Sequence, residues 1–199
     1  MTQTTVMIND NTLVEDSVKP LLDRMFAPKE GLGGDRIMKK RTYNPLNTQV
    51  DDILSLSRLK EIQEEYGDVK AGKNVAGNDN RFCFNKGEHP ELNNIAHYLS
   101  EQTGNDWMPS GLFWYPANGY CGWHTNSNRL GARIYYAWAD RDNESFFRYY
   151  DADKDEVVTE WDKKGINFHQ FTVSLEKPCW HCVGSYANRI SFGFMQRCP

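Results

Sequence analysis

The second half of the chain is a succession of short runs rich in aromatic and β-branched residues: GLFWY (111–115), ARIYYAWAD (132–140), SFFRYYD (145–151), EVVTEWD (156–162), INFHQFTV (166–173) and RISFGFM (189–195). Such residues suit a pleated, half-buried surface, and only short turns separate the runs. Several short strands at this spacing predict an antiparallel sandwich or barrel. In RISFGF the alternation is plain: Ile190, Phe192 and Phe194 face one side, a core, while Arg189, Ser191 and Gly193 face the other.

The first half reads as helical. VKPLLDRMF (18–26) has Ser17 as a cap and Pro20 within the first turn. DDILSLSRLKEIQEEY (51–66) sets Ile53, Leu56, Leu59 and Ile62 near one face and ends before Gly67. HPELNNIAHYLSEQTG carries Leu92, Ile95, Ala96 and Leu99 at helical spacing, opened by Pro90 and closed by Gly104. Segments 27–50 and 67–88 read as loops, GLGGD (31–35) as a turn, and RIMKKR (36–41) as a solvated basic run. Helices first and strands after predict an α+β fold in which helices brace one sheet. At 199 residues, a single domain is expected, with 1–104 as helical support and loops and 105–199 as the β core.

The net charge of −4 gives no broad attraction to nucleic acid or to an anionic membrane. No apolar run approaches the ~20 residues of a membrane span. The first residues, MTQTTVMINDNTLVEDS, lack the basic and apolar regions of a signal peptide. Five unevenly spaced cysteines (83, 121, 179, 182 and 198) suit a reducing compartment, so a cytoplasmic protein is expected.

The chemistry-bearing residues lie in GWHTNSNR (122–129) and CWHCVGSYANR (179–189). On a strand, His124 and Asn126 project together, as two metal ligands would. His181 is a second histidine, and Arg189 with Ser191 offers a cation and a hydroxyl to a small carboxylate. His89, His97 and His169 show no partner pattern. The Cys179–Cys182 pair lacks the second pair of a structural zinc site. DADKDEVVTEWD (151–162) lacks the glycine at position six of a calcium loop and reads as an acidic hairpin turn.

Two histidines on separate strands, a ligand-type residue two after the first, and Arg-x-Ser after the second resemble the Fe(II)/2-oxoglutarate-dependent oxygenases, prolyl-hydroxylase-like branch. YPANGYCGWHTN resembles that branch's approach to its first histidine, with Asn in place of Asp. HCVGSYANRISFGF resembles its second histidine, hairpin and arginine strand. The resemblance covers roughly residues 111–195. It implies a double-stranded β-helix, or jelly roll, braced by N-terminal helices.

It also implies His124, Asn126 and His181 as metal ligands and, with Arg189, as the catalytic set. Arg189, Ser191, Tyr115 and Tyr136 are expected around 2-oxoglutarate; Arg133 and Tyr135 precede Tyr136, and which of the three points inward is open. Tyr120, Trp123 and Trp114 are expected at an aromatic substrate pocket, together with Trp180. The implied cofactors are Fe(II), 2-oxoglutarate and O2, with succinate and CO2 as co-products of hydroxylating a peptidyl or small-molecule substrate. The alternatives are a metal- and 2-oxoglutarate-binding module that has lost turnover with the carboxylate, and a nucleic-acid-modifying member of the superfamily. The second wants another arginine where this chain has Met195. A cupin-type enzyme wants a clustered His-x-His…Glu set that is missing here.

Overall fold

The computed structural model describes residues 12–26, 38–41, 43–47, 49–70 and 79–197. It is an α+β structure of two antiparallel sheets and a few helices. The helices are α1 (Thr12–Phe26), α2 (Val50–Ile53), α3 (Leu56–Lys70) and α4 (Pro90–Thr103). The strands are β1 (Met38–Arg41), β2 (Asp79–Asn80), β3 (Phe82–Phe84), β4 (Trp107–Tyr115), β5 (Gly119–His124), β6 (Gly131–Ala139), β7 (Ser145–Asp151), β8 (Glu156–Trp161), β9 (Gly165–Val173), β10 (His181–Ser185) and β11 (Arg189–Gln196). The larger sheet runs β1-β3-β4-β11-β6-β9 and the smaller β2-β5-β10-β7-β8. GLGGD, the first two residues of RIMKKR and Cys198 lie outside the described residues.

Strand alternation sorts the apolar residues into three layers. Leu112, Ile134, Tyr136, Ile190, Phe192 and Phe194 form the outer face of the larger sheet and are buried under α1 and α4, through Val14, Val18, Leu21, Leu92, Ile95 and Leu99. Between the sheets lie Tyr115, Cys121, Phe147, Phe171, Val173 and Val183. The outer face of the smaller sheet carries Tyr120, Trp123, Phe146 and Trp180, covered by Val50, Leu54, Leu59 and Ile62 of the α2–α3 segment. Helices therefore brace both sheets rather than one. An outward aromatic face of that area cannot be left in water, at roughly 25 cal/mol per Å².

The three expected helices form, with changed bounds. α1 starts at Thr12, so Ser17 and Pro20 lie inside it. The 51–66 stretch divides: Ser55 leaves the helix, and its Oγ accepts from the Arg58 backbone N–H, which makes it the N-cap of α3. Pro90 and Gly104 bound α4 as expected, with Gly104 left-handed at φ 67°. The segments read as loops contribute β1, β2 and β3: β1 and β2 are edge strands of the larger and smaller sheets, and β3 lies next to β1. No described helix is long and apolar enough to cross a membrane.

The β4–β5 connection is tight because Asn118 adopts φ 64° and Gly119 donates to the Pro116 carbonyl at 2.7 Å. A Cβ on Gly119 would stand 2.6 Å from that oxygen and 2.8 Å from Tyr115 Cα, both backbone. Gly119→Ala is therefore expected to cost about 1–3 kcal/mol in denaturant unfolding, the usual cost of forcing an overpacked site apart.

Candidate metal centre

His124 ends β5 and His181 begins β10, and the two are direct partners across the ladder. One inter-strand pair thus places both imidazoles side by side, with ring centroids 4.2 Å apart. The ladder is irregular here: His181 faces His124, but Val183 faces Cys121. The extra β5 residue is a bulge, and it resets the alternation. Cys121 and His124 both reach the cavity between the sheets, while Tyr120 and Trp123 both turn to the helix-covered outer face.

Each imidazole is held in one tautomer. His124 Nδ1 lies 2.8 Å from the Gly122 carbonyl and His181 Nδ1 2.8 Å from the Cys179 carbonyl. A carbonyl only accepts, so both Nδ1 atoms carry the proton and both Nε2 atoms present a lone pair. Burial pushes the His124 pKa down to about 4, and Arg81 lowers it further against the Gly122 bond. Burial, then the neighbouring His124, holds His181 well below its ordinary value. Both rings are neutral at pH 7, the form that binds a metal.

Asn126 reaches the same point by a different route from strand alternation. It lies past the end of β5 in a left-handed conformation, φ 57°, which turns its side chain back to the imidazoles. Its Nδ2 donates to His181 Nε2 at 3.1 Å and to the Tyr135 hydroxyl at 3.0 Å. A half-turn of the amide brings Oδ1 to this position, and the Tyr135 hydroxyl, both donor and acceptor, serves either orientation. Two directed imidazole lone pairs and an amide oxygen within reach fit a divalent first-row metal. Among the described residues, no group of three or more His, Cys, Asp or Glu is arranged to hold one, so any such site depends on the amide.

The cavity has a volume of about 730 Å³ and is walled by both sheets. Tyr115 and Ser191 line it. Tyr115 is buried, and its hydroxyl accepts from Arg81 Nη1 at 2.9 Å. Gly193 stands opposite Tyr135 in the ladder; a Cβ there would come within 3.2 Å of the Tyr135 ring and 2.6 Å of Ser110 Oγ. The absent side chain is what admits the Tyr135 ring to the wall.

Other expected residues stand elsewhere. Arg189 is on the inward side of β11 but behind the wall: Nε donates to Asp162 Oδ2 at 2.7 Å and Nη1 to Ser191 Oγ. Tyr136 faces the opposite way, into the core under α1 and α4, and packs on Phe168 and Phe194. Of the three residues opening β6, Arg133 and Tyr135 face the cavity and Tyr136 does not. Trp114 stacks on Phe82 and donates to Asn188 on the outer side of the larger sheet. Tyr120, Trp123 and Trp180 belong to the layer under α2 and α3, where Trp123 Nε1 donates to the Ser55 carbonyl. The aromatic pocket expected from Trp114, Tyr120, Trp123 and Trp180 is therefore lined by other aromatic residues, Phe113, Tyr115 and Tyr135, and by four cations: Arg81, Lys86, Arg129 and Arg133. Lys86 and Arg129 carry no sequence signal, being single charges in turn-rich segments; Arg81 falls in a segment read as loop.

No family model matches this chain, and no curated protein matches it in sequence. Solved structures with some likeness include a 2OG-Fe(II) oxygenase family oxidoreductase from Burkholderia pseudomallei, at 8% identity and TM-score 0.39, covering 51% of this chain and 49% of that one. The match thus spans about half the length of that protein. A prolyl-4-hydroxylase from Pseudomonas putida aligns over 72% of this chain and 84% of its own, at 11% identity and TM-score 0.46. A recombinant oxalate oxidase in complex with glycolate aligns over 65% and 57%, at 12% identity and TM-score 0.36.

Proposed function

We propose that this chain is an Fe(II)- and 2-oxoglutarate-dependent oxygenase on a double-stranded β-helix, hydroxylating a small-molecule or peptidyl substrate. The observation that carries the reading is the His124–His181 pair: two neighbouring imidazoles, both neutral, both with Nδ1 spent on a backbone carbonyl and with Nε2 lone pairs that a ligand can take, that of His181 once the Asn126 amide turns away its Nδ2. Ferrous iron with 2-oxoglutarate and O2 supplies, when bound, the oxidising chemistry that yields succinate and CO2. The chain's own residues do the rest. His124 and His181 donate Nε2, and Asn126 turns Oδ1 inward as the third ligand. The sheets exclude water from the site, and Tyr135 holds the amide orientation.

Asp162 neutralises Arg189, so in this reading the distal carboxylate of the co-substrate meets Arg133, a cavity-lining cation whose guanidinium is oriented by the Ala132 and Arg129 carbonyls. Arg189 is then a structural cation, held by Asp162 and Ser191. Arg133→Leu is expected to raise the 2-oxoglutarate requirement at least about tenfold, since a charged pair contributes at least about 1.4 kcal/mol. Succinate formation against co-substrate concentration measures it. An unchanged requirement places the carboxylate elsewhere.

A binding module of the same fold is favoured by one observation, the neutral amide where a carboxylate would stand. Mn(II) calorimetry with 2-oxoglutarate, followed by succinate release in air with Fe(II), separates the readings: binding without succinate means a module. Asn126→Asp is expected to tighten Mn(II) binding at least about tenfold. A unit charge 4 Å from a cation is worth about 4 kcal/mol per unit of its charge at an effective dielectric constant of 20, which leaves a surplus after desolvation.

A further inference from the structure

A second cavity, of about 590 Å³, is lined from β7, β8, β9 and the 174–179 segment. One aromatic layer separates it from the candidate metal centre. Phe147 and Phe171 line the second cavity, and both rings also pack on His181, at centroid distances of 5.5 and 4.7 Å. The two cavities differ in charge. Arginines and a lysine line the first, whereas Asp151, Asp153 and Glu160 line the second, against Lys177 and the imidazole of His169.

Strand register sets an aromatic ring between two of these carboxylates. Phe147, Tyr149 and Asp151 alternate onto one face of β7, and Glu160 of β8 is the ladder partner of Phe147. Tyr149 therefore has Asp151 two residues along its own strand and Glu160 diagonally across the ladder. Burial, then Glu160, then Asp151 raises the Tyr149 hydroxyl above its ordinary pKa, as flanking anions do. Neither carboxylate is closed off by its partner. Glu160 Oε2 lies 2.9 Å from His169 Nδ1, but that imidazole is buried and has Asp162 at its other nitrogen. It thus holds Glu160 from the inner side, and the Glu160 side chain is 49% exposed. Asp151 Oδ2 is 3.5 Å from the exposed Lys154, which Glu156 shares at the same distance. Lys177 does not fill the space, since its Nζ is tied to Asp153 at 2.5 Å on the exposed rim.

We propose that this cavity is a second ligand site, taking a small organic cation whose ammonium or guanidinium head sits on Tyr149 between Glu160 and Asp151. The half-buried Tyr149 ring attracts a cation through its quadrupole, and the two carboxylates add charge-assisted contacts on either side. Phe147 and Phe171 offer apolar wall to the rest of the ligand. The cavity volume lies within the ~300–1,000 Å³ of small-molecule sites. The site stands on the far side of the Phe147–Phe171 layer from His181, so it does not rest on the oxygenase reading.

The test is calorimetry on the full chain, metal-free and in Mn(II), with three probes: choline for a methylated ammonium, methylguanidine for a guanidinium, and dimethylbutanol, the neutral carbon counterpart of choline. Wild type is compared with Asp151→Asn/Glu160→Gln and with Tyr149→Leu. The double variant removes both charges but keeps an acceptor for the Asp153 N–H and for His169 Nδ1. The Leu variant removes the ring and leaves the charges. Melting temperature checks each fold. At least one cation is expected to bind the wild type and to weaken about tenfold or more in each variant, while dimethylbutanol does not bind. The tighter cation identifies the head group. Should the double variant melt early, Tyr149→Leu and the contrast between cation and neutral probe on the wild type still decide. If neither cation binds, if dimethylbutanol binds as tightly as the cations, if both variants bind the cation as the wild type does, or if Mn(II) displaces the cation one for one, the second site is overturned. If Mn(II) itself fails to bind while the cation result holds, the second site stands and the oxygenase reading falls.

Discussion

Asp162→Ala is expected to destabilise the fold by about 3–5 kcal/mol, the usual cost of leaving a buried charge without its partner. The Asp162 and Arg189 side chains are 0% and 1% exposed, and their Oδ2 and Nε atoms are 2.7 Å apart. Ser145 Oγ donates to the same carboxylate oxygen at 2.7 Å, and His169 Nε2 stands 3.5 Å from the other. Removing the carboxylate strands the guanidinium, which has only Ser191 left among these groups and no route to water. Replacing both members, Asp162→Leu with Arg189→Met, is expected to recover much of the loss, because two buried apolar groups need no partner. Urea unfolding of the three proteins decides. A loss below about 1 kcal/mol for Asp162→Ala would show that the guanidinium finds solvent after all.

The same cluster sets a pH dependence. Burial pushes the Asp162 carboxyl up, but Arg189, His169 and Ser145 outweigh it and hold it below its ordinary 3.8. Its contribution is present above that value and lost as pH falls through the lower folded one. His169 runs the other way. Burial lowers it, but its bonds to Asp162 and Glu160 raise it above the ordinary 6.5. Its contribution is complete below 6.5 and lost as pH rises through the folded value. The melting temperature should therefore decline on both flanks; His169→Gln should remove the alkaline decline and move the acid one to higher pH, since one of the bonds that hold the Asp162 carboxyl down is lost.

This cluster also marks where the sequence stopped being readable. RISFGF announced its own alternation, and Ile190, Phe192 and Phe194 do face the core while Ser191 faces the cavity. What no strand pattern could show is that β9 and the end of β8 bring His169 and Asp162 behind Ser191, and so occupy Arg189. Burial partners come from distant strands, and a period of two says nothing about them. The bulge in β5 misled in another way. Strict alternation puts Tyr120 with His124, yet the extra residue sends Tyr120 outward and Cys121 inward. The histidines were legible because each sits at a strand end in a distinctive local motif. Asn126 does lie beside the imidazoles, but through a left-handed turn rather than along a strand, so the alternation that singled it out does not apply. Strands β1–β3 are two to four residues long, too short to carry a period.

The largest effect on function is expected from removing either Nε2 atom. Each imidazole has two tasks, and they can be separated. Nδ1 ties the ring to a backbone carbonyl, Gly122 for His124 and Cys179 for His181, and Nε2 faces the ligand position. Alanine would end both tasks at once, and an orphaned buried carbonyl alone costs about 1–3 kcal/mol. Asparagine ends only one, because its Nδ2 can stand near the place of imidazole Nδ1 while nothing replaces Nε2. His124→Asn and His181→Asn are therefore expected to melt close to the wild type. Each should still lose Mn(II) affinity at least about 100-fold, since removal of a mere outer partner of a metal-bound histidine already costs about 10–100-fold. Metal calorimetry beside thermal melting reads the two tasks independently. Wild-type affinity in both variants would mean that the metal, if bound, sits away from the pair, and the oxygenase reading would fall with it. Loss in one variant alone would keep a metal on the surviving imidazole and Asn126, and would make the β5–β10 pairing a structural coincidence rather than the frame of the site.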